Sequence, residues 1–418
     1  MTSRRDTLKG LSGLALCLAT GRAPAVVRQP EVTLRVLGTH VTLHETLRRQ
    51  AESDLGFRIE FTPGGSAQVL QRAATRPETF DIYEQWSNSI KVLWSTGAIQ
   101  PIDTGRILYW DEINDLSKTG RLTPDASVGL GDAPYRILHV QADGTLGPAP
   151  SAQASFLPYV HNVDSFGYRT DVIPAGTPYE TESWAWLLNE ANAGGVGLVN
   201  EPTIGIFDAA LAAQSAGYVQ FEDIGNMTAA EVDQLFEVLI EFKKRGHFSG
   251  MWNSVPESVD YMQSGRCHIA SMFSPGIAAL QSRRVPVLYA APKEGYRAWH
   301  GVMCMSSACS GAQQEAAYAF MNWWLSGWAG AFIAKQGYYI SNPERSRAFL
   351  TDAEWDYWYL GKPAEQALTD TAGQPFLPPG SIRRGGSYER RFSNIAVWNT
   401  VMPSYEYSLP RWHEFLLS

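Results

Sequence analysis

Apolar and polar positions alternate over residues 31–37, with Val32, Leu34 and Val36 against Thr33 and Arg35, which predicts a strand. Leu43, Leu47, Ala51 and Leu55 then recur at helical spacing as far as Gly56, and alternation returns over 57–61, so the order is strand, helix, strand. Residues 80–83 read as another short strand, feeding a helix that Ser87 is placed to cap and that carries Ile90, Leu93 and Trp94 on one side. The stretch 122–155 is dense in Pro, Gly, Ala and Asp without a period and is expected to be a surface insertion. Alternation resumes over 156–168. Thr228 with Glu231 is a capping box, in which hydroxyl and carboxylate satisfy N–H groups of the first helical turn, and Val232, Leu235, Phe236, Leu239 and Ile240 supply the buried face. Ser254 and Glu257 repeat the pattern for a helix ending at Gly265. A strand follows at 267–272, a helix opened by Pro275-Gly276, a strand at 285–290, and one long Trp-rich helix over 311–336. The aromatic tail from Thr351, with a loop at Gly385-Gly386-Ser387 and a further helix over 395–398, is expected to pack across the molecule. Strands and helices in turn predict an α/β fold, and the length favours two lobes, each a mostly parallel sheet flanked by helices.

Composition adds little to this and removes several function classes. With 44% hydrophobic and 18% charged residues the chain is of ordinary globular type. Arg4-Arg5 ahead of the small apolar run 10–20, with Ala23-Pro24-Ala25 behind it, has the layout of a cleaved twin-arginine-type export segment over residues 1–25. Its removal takes four basic residues and one acidic, so the formal charge moves from −8 to −11, which disfavours nucleic acid and anionic membrane surfaces as partners. Cys267, Cys304 and Cys309 would remain, read as buried free thiols rather than a Cys304–Cys309 bridge.

The motifs of catalysis are missing. There is no G-x-S-x-G elbow, no H-E-x-x-H pair and no phosphate-cradling G-x-x-x-x-G-K loop, and no cofactor is called for. His40 and His44 have the spacing of a metal pair, but His44 is expected on an exposed helix face with no acidic third ligand.

Taken in order, the segments 80–83, Gly97 to Asp103, Leu157-Pro158-Tyr159 with Phe166-Gly167-Tyr168, Ser183 to Leu188, Pro292 to Gly295, Ala316 to Trp324 and Gly337 to Asn342 resemble the spermidine/putrescine-binding branch of the solute-binding proteins of ABC importers. The resemblance implies a two-lobe periplasmic-binding-protein fold of the second type, with lobe 1 at 26–161 plus 298–340 and lobe 2 at 162–297 plus 341–418. It implies a monomer in the periplasm that holds a small-molecule solute in the interlobe cleft and hands it to a membrane permease. The insertion would then cover that cleft or decorate a lobe.

In polyamine-binding members aromatic residues sandwich the methylene chain and carboxylates meet each ammonium. By resemblance Trp299 falls on the cleft tryptophan, Phe273 on a second aromatic wall and Tyr338 in the Gly-Tyr cleft segment, while Trp86 follows a strand end. The expected carboxylates fall instead on Pro202, Gly205 and Gly301. Glu84, Asp164 and Glu201 are available as replacements, Glu201 beside a vacated position, and Thr39, His161 and Asn162 at strand ends would supply hydrogen bonds. This set points to a solute smaller or more polar than a polyamine: a single or quaternary amine, an opine-like conjugate, or a sugar-like compound. Ferric ion held by Tyr338 and Tyr339 is an alternative within the same fold, and a secreted hydrolase an alternative outside it.

Overall fold

The computed structural model describes residues 32–418; the expected export segment, with Arg4 and Arg5, lies outside them. Period-two segments become strands, and their order in space sets the architecture. β1 (Thr33–Thr39), β2 (Arg58–Gly64), β3 (Ile82–Trp86), β4 (Leu157–Arg169), β5 (Val196–Val199), β6 (Phe248–Trp252), β7 (Ile269–Met272) and β8 (Tyr296–Ser306) line up as β6-β5-β7-β4-β8-β3-β1-β2. Pairing is parallel within each half, β1 with β2 and β3 on one side and β5 with β6 and β7 on the other. The long strands β4 and β8 are the exception. They run antiparallel to each other, Arg297 opposite Asp164 and His300 opposite His161, then diverge, β4 joining β7 and β8 joining β3. Two lobes thus share a pair of crossing strands, and the sheets are mixed where those strands enter.

Helices close the faces for the reasons legible in their ends. α1 (Glu45–Leu55) stops at Gly56 in the left-handed conformation, and Thr228 and Glu231 form the reciprocal box that opens the helix Ala229–Lys244. Three other expectations are corrected. Ser87 caps nothing: it lies in a tight turn, Ser87–Ser89, ahead of the helix Ile90–Ser95, which has no side-chain cap. Ser254 accepts from Glu257 N–H, but the Glu257 carboxylate turns to Asn253 N–H at 2.7 Å, so only half the box forms. The run 311–336 is two helices, Gly311–Leu325 and Trp328–Ala334, because Gly327 takes φ of 121° where a Cβ would overlap the Arg345 carbonyl.

The insertion is more ordered than its composition suggests. Two-residue strands at His139–Val140, Leu146–Gly147 and Gln153–Ala154 join Ile102–Asp103 in a small sheet, with Ile137, Leu138 and Ala154 buried against Phe156. In the tail, residues 395–398 form not a helix but a strand, β9 (Ile395–Trp398), parallel to β8, with Ile395, Val397 and Trp398 buried. Trp355, Tyr359, Tyr388 and Phe392 pack with Val163, Tyr296 and Ala298 of the crossing strands, while Trp412 and Phe415 enter the core around β5 and β7. The tail therefore buttresses the crossing. Cys267, Cys304 and Cys309 are buried free thiols, and no helix among the described residues is long and apolar enough to cross a membrane.

Candidate functional site

In each lobe the parallel strands end, and the following helices begin, on the side that faces the other lobe, where ligands of open α/β sheets collect. A cavity of about 620 Å³ opens there. One wall carries Thr39 at the end of β1 with His40 and Val41 after it, Gly64 to Ser66 from the end of β2 to the start of α2 (Ser66–Thr75), and Trp86 at the end of β3. The opposite wall carries Val199 to Glu201 before α3 (Pro202–Ser215), Trp252 to Ser254 before α4 (Val255–Gln263), and Phe273 and Pro275 at the start of α5 (Ser274–Ser282). Asp164 and Trp299 of the crossing strands line it, with Gln336, Tyr338 and Asn399. The residues capping α1 to α5, namely His44, Gly65, Glu201, Ser254 and Phe273, all stand on the wall. The positive ends of five helix dipoles are therefore directed at one space.

Asp164 and Trp299 form the centre. Trp299 Nε1 donates to Asp164 Oδ2 at 2.8 Å, Tyr289 Oη and Asn162 Nδ2 donate to Oδ1 at 3.2 and 3.3 Å, and Arg297 Nη2 lies 3.6 Å from Oδ2. Arg297 gives its Nε to Asp208 at 2.6 Å and Nη1 to Asn399 at 3.1 Å, with both charged side chains wholly buried. Two carboxylates thus share one guanidinium, leaving a buried charge of −1 beside the cavity. Burial pushes the Asp164 carboxyl up to about 6, Arg297 opposing the rise and Asp208 adding to it. Aromatic faces surround this group: Trp86 meets Trp299 edge-on at 4.8 Å, Trp299 meets Tyr338 at 5.4 Å, and Trp252 meets Phe273 at 5.1 Å. Glu201 accepts from the Thr203 hydroxyl at 2.5 Å, and its burial raises its pKa.

Of the residues named from sequence, Thr39, Trp86, Asp164, Glu201, Phe273, Trp299 and Tyr338 line this one cavity; Glu84 and His161 do not. Glu84 lies one layer deeper on β3, wholly buried, accepting Thr39 N–H at 3.1 Å, and burial raises its pKa. His161 is turned to the far face of β4, where it bonds Tyr388 Oη at 2.8 Å beside His300, and burial holds its pKa well below the ordinary value. Asn162 stands behind the wall, donating to Ser274 Oγ at 3.2 Å. Tyr338 and Tyr339 face opposite ways: Tyr339 is buried in the tail core with its hydroxyl on Trp358 O. His44 is not on an exposed helix face but precedes α1 and lines the cavity, its ring 5.9 Å from Phe332. No group of three metal-binding side chains occurs among the described residues. His40, considered from sequence only as a metal partner of His44, and Ser66, Asn200, Trp252 and Asn253, which were not singled out, also line the cavity, at or just after strand ends. None of residues 122–155 lines the cavity.

Packing closes one of the vacated acidic positions and crowds a second. A Cβ on Gly205 would collide with Val199 O and lie 2.6 Å from the Trp412 ring, and one on Gly301 would lie 3.0 Å from Val160 O.

The model of the bacterial extracellular solute-binding protein family matches residues 47–358. A comparison with curated protein sequences gives no match. Among solved structures, the Tp0655 (TpPotD) lipoprotein of Treponema pallidum superposes with a TM-score of 0.61 at 12% identity, covering 92% of this chain and 99% of that one. The spermidine/putrescine ABC transporter substrate-binding protein PotD of Streptococcus pneumoniae gives 0.59 at 14% identity, covering 92% and 98%. AgtB of A. tumefaciens R10, solved in complex with agropinic acid, gives 0.55 at 13% identity, covering 93% and 100%.

Proposed function

The chain belongs to the bacterial extracellular solute-binding proteins, and from that premise we propose that the solute it captures for an ABC transporter is a small compound carrying one amine together with carboxylate or hydroxyl groups. The observation that carries this reading is the aromatic enclosure of Trp86, Trp299 and Tyr338 around a buried carboxylate, Asp164, in a network of net charge −1. Aromatic faces and a desolvated carboxylate together favour an ammonium. Five helix N-termini on the same walls favour an acceptor-rich or anionic remainder. A linear polyamine, by contrast, needs a carboxylate at each ammonium, and packing leaves no room for one at Gly205 and crowds the position of Gly301. The complex of AgtB with agropinic acid shows that this fold holds a solute other than a polyamine.

In this reading Trp299, Trp86 and Tyr338 contact the amine end, Asp164 meets its charge, and Thr39, Glu201 and Phe273 border the remainder. The lobes, divided at 161/162 and 297/298, close over the solute by a hinge at the crossing strands. Export through the segment 1–25, release of a monomer into the periplasm and docking on a permease complete the cycle. The test is a thermal-shift screen of the chain from Val26 against amino-acid and opine-like compounds, single and quaternary amines, polyamines and sugars. A ligand at a hundred times its dissociation constant stabilises by about 2.7 kcal/mol. Shifts are expected with amine-bearing carboxylates; shifts confined to spermidine and putrescine, or to sugars, would overturn the assignment.

A further inference from the structure

Behind the solute cavity, across the residue Gln336 that both share, lies a second and much smaller one of about 40 Å³. Its walls come from α5, from Gln336-Gly337, from Tyr357 and Trp358, and from three arginines of the tail, Arg383, Arg384 and Arg391. Arg384 is neutralised by Glu182 at 2.6 Å. The other two have only neutral partners among the described residues. Arg391, 1% exposed, donates to Tyr339 Oη at 3.2 Å and Val163 O at 3.3 Å, and Arg383 donates to Gly337 O at 3.0 Å. Aromatic rings take up the faces, Trp358 4.9 Å and Tyr339 5.2 Å from the Arg383 guanidinium, and Tyr296 5.4 Å from that of Arg391. Tyr289, also on the wall, has its one hydroxyl proton shared between Met272 O at 2.9 Å and Asp164 Oδ1 at 3.2 Å. Guanidinium stays protonated, and a charge such as that of Arg391, buried and unable to neutralise itself, needs a counter-charge, while the half-buried Arg383 on the same wall adds a second positive charge. Burial, with Arg391 alongside, already pulls the Arg383 pKa down.

We infer that this cavity is a site for a single small monovalent anion of halide size, whose charge is shared by Arg383 and Arg391. The volume excludes a second organic solute and suits one ion. The site fastens the tail to the Gly337 carbonyl, next to Tyr338 of the solute wall. It does not depend on which solute the larger cavity takes.

The test uses the chain from Val26 without solute, at constant ionic strength, exchanging gluconate for chloride or bromide. Above the dissociation constant each tenfold rise in halide should raise the melting midpoint by a constant step. Arg383→Gln should abolish that dependence while keeping the far-ultraviolet spectrum of the folded protein. A flat response in the natural sequence, or an unchanged slope in the variant, overturns the site. If the variant does not fold, crystals grown in bromide decide: an anomalous peak between Arg383 and Arg391 is expected, and bromide found only at surface arginines refutes it.

Discussion

Replacing Asp164 by Asn removes the buried charge while leaving a side chain of the same shape. Arg297 keeps its 2.6 Å pair with Asp208, so the network becomes neutral instead of losing its cation. The natural carboxyl titrates near 6 instead of its ordinary 3.8, a difference equivalent to roughly 3 kcal/mol. The folded protein therefore holds this proton between about pH 4 and 6 where the unfolded chain has released it. The contribution to stability is greatest below pH 4 and is lost as pH rises through 6, and in Asp164→Asn that part of the profile should vanish. Solute binding carries the opposite sign. An ammonium favours the ionised carboxylate, so affinity should be full above pH 6 and weaken by up to tenfold per pH unit below it. At pH 7.5 the loss of a charge-assisted contact, about 1.5–3 kcal/mol, predicts affinity ten- to a hundredfold weaker in the variant. Calorimetry with the best amine-bearing ligand, from pH 7.5 to 5, measures both effects. His44 and Glu201 also stand on the wall, burial lowering the first pKa and raising the second, and the variant separates their titration from that of Asp164. Parallel profiles for the two proteins, or equal affinity at pH 7.5, would refute the role given to Asp164.

Three further substitutions probe the frame around it. Trp299→Ala should weaken solute binding at least tenfold, and unchanged affinity in a variant shown to be folded removes Trp299 from the site. Gly38→Ala sets a Cβ 2.5 Å from Glu84 Oε2 and 2.7 Å from Glu84 O, so Thr39 or β3 must shift, at a cost of about 1–3 kcal/mol in urea denaturation. Thr228→Ala breaks the capping box far from the cavity and should lower stability by about 1 kcal/mol with solute affinity unchanged.

The fold was legible where one face of an element is polar. The period of Leu43, Leu47 and Ala51 and the box at Thr228 and Glu231 carried through to helices with the expected ends. It was not legible where both faces are buried. β9 shows no exposed alternation because Val397 enters the core around β5 and Ile395 and Trp398 that of the tail, and the break at Gly327 depends on a carbonyl of Arg345 that is distant in local pattern. The insertion was misjudged for a related reason: strands of two residues are too short to establish a period, and only their pairing with Ile102–Asp103 defines them.

The site follows the same logic at the level of single residues. Strand ends are visible in sequence, and so Thr39, Trp86 and Glu201 reached the wall, while Phe273 was placed there by the resemblance. Which side chain of a crossing strand faces the cavity is not visible, because β4 is buried along nearly its whole length and offers no alternation. Once Asp164 is known to face the cavity, the period of two settles its neighbours. Asn162 shares its face and bonds to it, His161 takes the opposite face, and on β8 Arg297 stands on the same side as Trp299 but one layer deeper, within reach of Asp208. Tyr338 and Tyr339 divide in the same way, one to the cavity and one to the tail. The requirement that each buried charge have a partner does the rest. It binds Asp164, Arg297 and Asp208 into one unit that spans β4, β8 and α3, so that the charge on the cavity wall is set by the crossing strands themselves.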